Sequence, residues 1–212
     1  MGDDIYTDWA TFALFSSVDF SVEKEKIKNY ILQEKFSPEN LTDYERRSMV
    51  LMTLGVDPYN VNGENYIKKI TDSFDGKQFG DVNEDNDDIF ALIVLQNVGY
   101  TIDEKMINDD VFFIISKQKE NGSWDNSIDM TGAGIEALTT FKDHENVEIA
   151  LEKAKEFLKQ NQKDTGGWTN VSSTAWAMEG IVSLNENPKD WIKNSNTPLD
   201  YLANNQDEDG GI

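Results

Sequence analysis

Cysteine is absent from this chain of 212 residues, and its absence removes several kinds of chemistry at once. Without a thiol there can be no disulfide, no zinc–thiolate site, no cysteine nucleophile and no internal thioester. Histidine occurs once, as His144, so a metal site built from several histidines is also excluded. The single histidine stands in a polar run, residues 142–146, and we expect it to be a solvated loop residue.

Basic residues are scarce: the chain has 19 lysines and arginines against 40 acidic residues, a net charge of -21. Such a surface repels phosphate backbones and anionic lipids, so we expect no nucleic-acid partner. Apolar runs are short, and none approaches the roughly 20 residues that a membrane-spanning helix needs. The sequence therefore predicts an ordered globular protein with no transmembrane segment.

A repeated element of the form Q-x-x-x-G-x-(W or I) organises the second half of the chain. Its copies begin at Gln118, Gln162 and Gln206, which are 44 residues apart in both steps, and they end at Trp124, Trp168 and Ile212. A degenerate earlier copy ends at Phe79, 45 residues before Trp124. A repeat of this length indicates an array of supersecondary units.

A second series of apolar segments has nearly the same period. Four segments begin 43 residues apart, at Ser48, Ala91, Gly134 and Ala177, and a first copy begins at Ala10, which is 38 residues before Ser48. Two independent series at one period predict five units, at about residues 5–40, 41–82, 83–126, 127–170 and 171–212.

Each unit is predicted to be a pair of helices. Residues 146–162 carry apolar side chains at spacings of three and four, with charged residues between them, which is typical of a helix with one face in water. Residues 89–98 are apolar on nearly every side, so this helix is buried or lines a protected cavity. We therefore predict an all-α fold, an α/α toroid with inner and outer helices, formed as one domain over residues 1–212.

Short polar pairs and glycines mark the expected helix ends. The pairs Thr7-Asp8, Thr42-Asp43, Asp87-Asp88 and Ser172-Ser173 are predicted to cap the inner helices. Gly122, Gly166 and Gly210 follow outer helices, where a left-handed residue is favoured. Pro198 is predicted in the first turn of the last outer helix.

These elements carry a family resemblance. The Q-x-x-x-G-x-W copies, with residues 86–92 and 172–177, resemble the terpenoid cyclase and protein prenyltransferase superfamily, and most closely bacterial proteins with prenyltransferase and squalene-oxidase repeats. The resemblance implies the α/α toroid, a structural role for Trp124 and Trp168, and a secreted or cell-surface location. A complete ring in this superfamily has six helix pairs. Five are visible here, so either the ring closes differently or the parent protein continues beyond Ile212.

The sharpest catalytic candidate is Asp85-Asn86-Asp87-Asp88, which has the form D-x-D-D. In class II terpene cyclases this pattern protonates an alkene or epoxide, and the resemblance implies that Asp87 is the acid, with Asp85 and Asp88 beside it. A plainer interpretation is that acidic residues favour the N-terminus of a helix and cap it. A zinc prenyltransferase does not fit, because the site of that enzyme requires a cysteine.

A calcium-binding site is a further hypothesis for this acidic segment. Asp81, Asn83 and Asp85 alternate like the start of an EF-hand loop, but Asn86 replaces the sixth-position glycine and Leu92 replaces the twelfth-position glutamate. The alternative is a solvated acidic turn.

Aromatic residues gather near the N-terminal ends of the predicted inner helices: Trp9, Phe12, Tyr44, Phe90 and Trp176. In a ring these ends meet around one opening, where aromatic side chains can hold a small apolar ligand. The alternative is ordinary packing between the two helix layers.

The function predicted from these features is a non-catalytic binding, adhesion or scaffold module of a secreted or cell-surface bacterial protein, with an apolar central cavity. We expect no cofactor, and as partner a small apolar ligand or another protein domain. The alternative is an enzyme similar to a class II terpene cyclase that protonates a polyprenyl substrate through Asp87.

Overall fold

A computed structural model of the chain describes residues 5–16 and 21–208, and these residues are folded into helices joined by turns. Each of the five predicted repeats contains one pair of helices. The pairs are α1 (Ile5–Ser16) with α2 (Ser21–Gln33), α3 (Leu41–Thr53) with α4 (Tyr66–Asp72), α5 (Asp85–Asn97) with α6 (Lys105–Lys117), α7 (Ile128–Thr139) with α8 (Val147–Asn161), and α9 (Val171–Ser183) with α10 (Pro198–Asn204). A short 3-10 turn, Pro188–Asp190, precedes α10. The all-α class and the helix-pair repeat are therefore confirmed.

The chain divides into two compact units, unit 1 (Met1–Thr101) and unit 2 (Ile102–Ile212). In unit 1, α3 packs against α1, α4 and α5, whereas in unit 2, α7 packs against α8 and α9. Within the described ranges, no helix combines the length and the apolar character that a bilayer crossing requires. The grouping of all five pairs into one toroidal domain stays a prediction.

The Q-x-x-x-G-x-W element is a hydrogen-bonded joint between helices of unit 2. In the first copy, Gln118 Nε2 donates to the carbonyl oxygens of Gly122 at 2.9 Å and Ala150 at 2.8 Å. The indole Nε1 of Trp124 donates to Ile114 O at 2.8 Å, and the Trp124 side chain is fully buried. The amide and the indole of the element thus satisfy a turn carbonyl, Gly122 O, and a helix-end carbonyl, Ile114 O, and the amide also connects the turn to α8 at Ala150.

The second copy repeats this geometry. Gln162 Nε2 donates to Gly166 O at 2.8 Å and Trp191 O at 2.9 Å, while Trp168 Nε1 donates to Leu158 O at 2.8 Å. The same bonds at the same positions give the 44-residue period a physical cause. In the third copy, Gly210 and Ile212 lie outside the described residues.

The glycine of the element is required for two reasons. Gly122 and Gly166 both have φ of +89°, as predicted for a left-handed position. A Cβ at Gly122 would also lie 2.2 Å from Lys153 O, and one at Gly166 would lie 2.3 Å from Thr197 O. Any side chain here would therefore strain the backbone and collide with the neighbouring chain segment.

The predicted cap pairs are wrong by a few residues. The helices α3, α7 and α9 are capped by Asn40, Ser127 and Asn170, whose side chains accept backbone N–H bonds, and Glu84 occupies the cap position of α5 without such a bond. The predicted pairs lie inside the helices instead. A polar first turn has the same composition as a cap, so composition alone misplaced the boundary. The predicted start of α10 at Pro198 is confirmed, with Thr197 as its cap.

Buried ion pairs connect the helices α1 and α3 of unit 1. Asp8 on α1 is 1% exposed and pairs with Arg46 Nε and Arg47 Nε on α3, both at 3.0 Å. Arg47 also pairs with Glu34 at 3.0 Å, and its guanidinium lies 4.8 Å from the centre of the Phe36 ring. A network of this kind holds helices in register because each charge is costly to bury without its partner.

Candidate functional site

The D-x-D-D segment forms the first turn of α5, and all three of its aspartates are buried: Asp85 and Asp87 are 6% exposed and Asp88 is 1% exposed. Burial of three carboxyl groups in one turn is unusual, because each requires compensating donors. The positive end of the helix macrodipole supplies part of that compensation.

Asp88 occupies a position that recurs in the repeat. Its Oδ1 accepts the backbone N–H of Phe79 at 2.7 Å. The residues 43 and 86 positions later are Thr131 and Thr174, and their Oγ1 atoms accept the backbone N–H of Trp124 at 3.3 Å and Trp168 at 3.0 Å. Asp88 therefore performs in unit 1 the joint-forming task that a threonine hydroxyl performs twice in unit 2.

Asp87 joins two turns to the start of α5. Its Oδ1 accepts from Thr42 Oγ1 at 2.8 Å, and its Oδ2 accepts from the backbone N–H of Asp81 at 3.0 Å. A Cβ at Gly80 would lie 2.2 Å from Asp87 Oδ2, so the loop passes directly over the carboxyl group. These contacts are structural; the catalytic role of Asp85, Asp87 and Asp88 stays a prediction.

Glu45 is a buried acid that the sequence analysis missed. It lies on α3, is 0% exposed, and neither of its oxygens has a hydrogen-bond partner among the residues that the structure describes. Desolvation raises the pKa of this carboxyl well above its usual value, and the neighbouring Asp87 and Asp88 raise it further. The repeat contained a signal for it, because Glu45 precedes Asp88 by 43 residues and so occupies the same repeat position.

Two of the proposed calcium ligands, Asp81 and Asn83, lie in an exposed turn, whereas the third, Asp85, is buried at the start of α5. Asp81 Oδ1 accepts from the backbone N–H of Asn83 at 2.9 Å and from its Nδ2 at 2.8 Å, and these bonds lower the pKa of Asp81. Over residues 5–16 and 21–208, no group of three or more histidine, aspartate or glutamate side chains has an arrangement that could hold a metal ion.

His144 differs from its predicted environment. It is half-buried rather than solvated, and its ring packs edge-on against Phe112 with 5.0 Å between ring centres. Phe112 lies on α6, and the whole of α7 separates it from His144 along the chain. The polar segment around the histidine gives no indication of this neighbour, so the sequence could not predict the contact.

The five aromatic candidates fall into three environments. Trp9 contacts Phe12 and Phe90, with ring centres 6.5 and 6.4 Å apart. Tyr44 joins a different cluster with Phe36 and Tyr66, at 5.4 and 5.5 Å. Trp176 is half-buried on α9 in unit 2. Ligand binding by Trp9, Phe12, Tyr44, Phe90 and Trp176 stays a prediction.

Unit 2 contains an open concavity of about 440 Å³ that the sequence analysis did not identify. Its wall comes mainly from one face of α9, with one residue each from α7 and α10. The lining residues are Glu136, Ala175, Met178, Glu179, Val182, Ser183 and Leu202. The spacing 175, 178, 179 and 182 is the helical pattern that places side chains on one face.

The other face of α9 packs tightly and fixes this wall. A Cβ at Gly132 of α7 would lie 2.2 Å from Trp176 O, and a Cβ at Gly180 of α9 would lie 3.1 Å from Gly132 Cα. Such close contact between two helix backbones leaves the α9 face at residues 175–182 with a defined position. The concavity is therefore bounded by residues of three helices, of which α7 and α9 are closely packed against each other.

Two carboxyl groups lie in this mostly apolar wall. Glu136 is half-buried, whereas Glu179 reaches solvent at the mouth of the concavity. Desolvation raises the pKa of Glu136. Desolvation, followed by repulsion from Glu136, raises the pKa of Glu179 to about 7. The apolar surroundings thus disfavour the charged forms of both acids.

The comparisons with known proteins are limited in extent. No protein-family model matches the chain. Among curated proteins, the chain is similar to a squalene–hopene cyclase of Zymomonas mobilis, with 26% identity over an alignment that covers 57% of this chain and 21% of the cyclase. The chain thus corresponds to about a fifth of the length of that relative. Together with the all-helical repeat, this partial similarity points to a protein like those of the terpenoid cyclase superfamily.

Proposed function

We propose that this chain is a non-catalytic binding module, part of a secreted or cell-surface protein, that holds a small apolar ligand in the concavity of unit 2. The observation that carries the proposal is the apolar face of α9, where Ala175, Met178 and Val182 line a concavity of about 440 Å³. Concave surfaces lined by apolar side chains with a few polar groups are the usual form of small-ligand sites.

The contacts of the acidic segment support a binding module over acid catalysis. Asp87 is engaged by Thr42 and Asp81, and Asp88 by Phe79. Asp88 also has a structural counterpart in each of the two later repeats, Thr131 and Thr174. These hydrogen bonds support a structural role for Asp87 and Asp88.

The test compares two substitutions at equally exposed positions. Val182 lines the concavity and Ile149 lies on α8 outside it, and each is 58% exposed. We expect Val182→Glu to weaken the binding of a neutral probe, octan-1-ol, by tenfold or more, because the new carboxyl occupies apolar space. Ile149→Glu should leave the affinity unchanged. Equal affinities in both variants, measured by calorimetry, would contradict the proposal.

A second candidate function is a class II terpene cyclase-like enzyme. The similarity to squalene–hopene cyclase favours it, as does the buried acid Glu45 beside Asp87 and Asp88. The test is incubation with squalene and analysis of the extracted lipids by mass spectrometry. This candidate requires a cyclised product that Asp87→Asn abolishes and that a control at an exposed aspartate, Asp164→Asn, retains. If the unaltered chain forms no cyclised product, the cyclase candidate fails and the binding module is the remaining proposal.

A further inference from the structure

Glu136 and Glu179 occupy the same position in consecutive repeats, since they are 43 residues apart on the inner helices α7 and α9. In the two preceding repeats this position holds Val50, which is 1% exposed, and Ile93, which is 3% exposed. An apolar position of the repeat has thus been replaced by a carboxyl group twice, and both replacements are in unit 2. The architecture of the helix pair does not require an acid here.

Within the described part of the chain, the two carboxyl groups have no cationic partner. Among the residues that the structure describes, no lysine or arginine pairs with Glu136 or Glu179, and no hydrogen-bond donor reaches either of them. Both line the same concavity, whose remaining wall is formed by side chains such as Met178, Val182 and Leu202. The site therefore presents two acceptor groups for a cation beside an apolar surface.

We propose, building on the binding function above, that the concavity takes an amphiphile with one ammonium group and an apolar chain, the ammonium lying between Glu136 and Glu179. An ammonium has three donors and can bond both carboxylates at once. The hydrocarbon chain covers the apolar face of α9, and each methylene removed from water strengthens binding by about fourfold.

Proton release accompanies this binding. The charged groups of the lining are Glu136 from α7 and Glu179 from α9, while α10 contributes Leu202. A cation favours the ionised form of both acids, and the pKa of Glu179 is about 7 in its absence. Binding at neutral pH therefore displaces a fraction of a proton, and affinity rises as the pH increases through neutrality.

The experiment compares three probes with the same chain length: octylammonium, octan-1-ol and octanoate. Because the net charge is -21, an alkylammonium also collects on the surface. The measured signal must therefore be local, and the methyl NMR resonances of Met178, Val182 and Leu202 provide it. We expect octylammonium to bind at least tenfold more tightly than octan-1-ol, and octanoate more weakly than either.

Substitutions then test whether Glu136 and Glu179 cause the preference for octylammonium. Glu136→Gln with Glu179→Gln should abolish the advantage of octylammonium while preserving octan-1-ol binding, whereas Glu148→Gln, an exposed control on α8, should preserve both. Equal binding of octylammonium and octan-1-ol would overturn this inference and leave the proposed function intact. Failure of all three probes to shift the three methyl resonances would overturn both.

Discussion

Units 1 and 2 are built from the same helix-pair repeat but are held together by different chemistry. In unit 2, neutral groups make the joints: Gln118 and Gln162 bond two carbonyls each, and Trp124 and Trp168 one each. In unit 1 charged groups dominate, through Asp8 with its arginines and through Asp87 and Asp88. The comparison shows that the repeat determines the position at which two helices must be connected, whereas the side chain that makes the connection can differ.

The two units also differ in the contacts that their acidic side chains make. Asp87 and Asp88 of the D-x-D-D segment in unit 1 have structural hydrogen-bond partners, whereas Glu136 and Glu179 of unit 2 have none among the residues that the structure describes. A motif recognised in one dimension marks residue types, and the contacts decide their use.

The largest effect is expected at the joint of unit 2. Trp124→Ala should lower the free energy of unfolding by about 4 kcal/mol, because it removes a fully buried ring and leaves Ile114 O unpaired. Trp124→Phe keeps most of the ring and should cost about 2 kcal/mol. Urea denaturation followed by circular dichroism measures both. Losses of similar size in the two variants would mean that the ring volume contributes little.

The buried charges of unit 1 come next. Asp8→Ala leaves Arg46 and Arg47 without their common partner and should cost about 3 kcal/mol. The control is Asp72→Ala, which removes the exposed pair with Lys68 and should cost less than about 1 kcal/mol. If the two variants unfold at the same urea concentration, the network does not hold unit 1 together.

The equivalence of Asp88 with Thr131 and Thr174 predicts a tolerated exchange between the two units. Asp88→Ala leaves the buried N–H of Phe79 unpaired and should cost about 2 kcal/mol. Asp88→Thr should recover at least half of that loss, because its hydroxyl accepts the same bond. Thermal unfolding of both variants measures the difference. Equal melting temperatures for the alanine and threonine variants would refute the equivalence.

The smallest effect is a pH dependence at Glu45. Its folded-state pKa is raised well above the usual 4.5, so the unfolded chain loses this proton at a lower pH than the folded chain does. Its contribution to stability is therefore present below about pH 4.5 and declines as pH rises toward the folded pKa. Relative to Glu45→Gln, the unaltered chain should become progressively less stable as the pH rises above the usual glutamate pKa of 4.5 toward the raised pKa of the folded state. A pH-independent difference in melting temperature would show that Glu45 is not buried as described.

The sequence predicted the part of the fold that repeats. The steps of 44 between glutamines and of 43 between apolar segments located the helix pairs, and Gly122 and Gly166 have the expected left-handed backbone. Period and composition determine these features locally. The ion pairs of Asp8 were not predictable, because Arg46 and Arg47 lie 38 and 39 residues away along the chain.

The concavity was missed for a different reason. Glu136 and Glu179 were visible as equal positions of aligned repeats, but a helix with a few acids looks like any half-exposed helix. Their importance depends on the apolar neighbours Met178, Val182 and Leu202, which come from two different helices. Aligning the repeats position by position, and asking where a buried apolar residue becomes charged, would have found the pair.

The most direct test of the account is a methyl NMR titration of the unaltered chain with octylammonium, observed in both units at once. We predict that the resonances of Met178, Val182 and Leu202 shift in a saturable manner while those of Ile89 and Leu92, which are buried on α5, stay in place. Saturable shifts confined to Ile89 and Leu92, or no shifts in either unit, would contradict the claim that unit 2 carries the binding site.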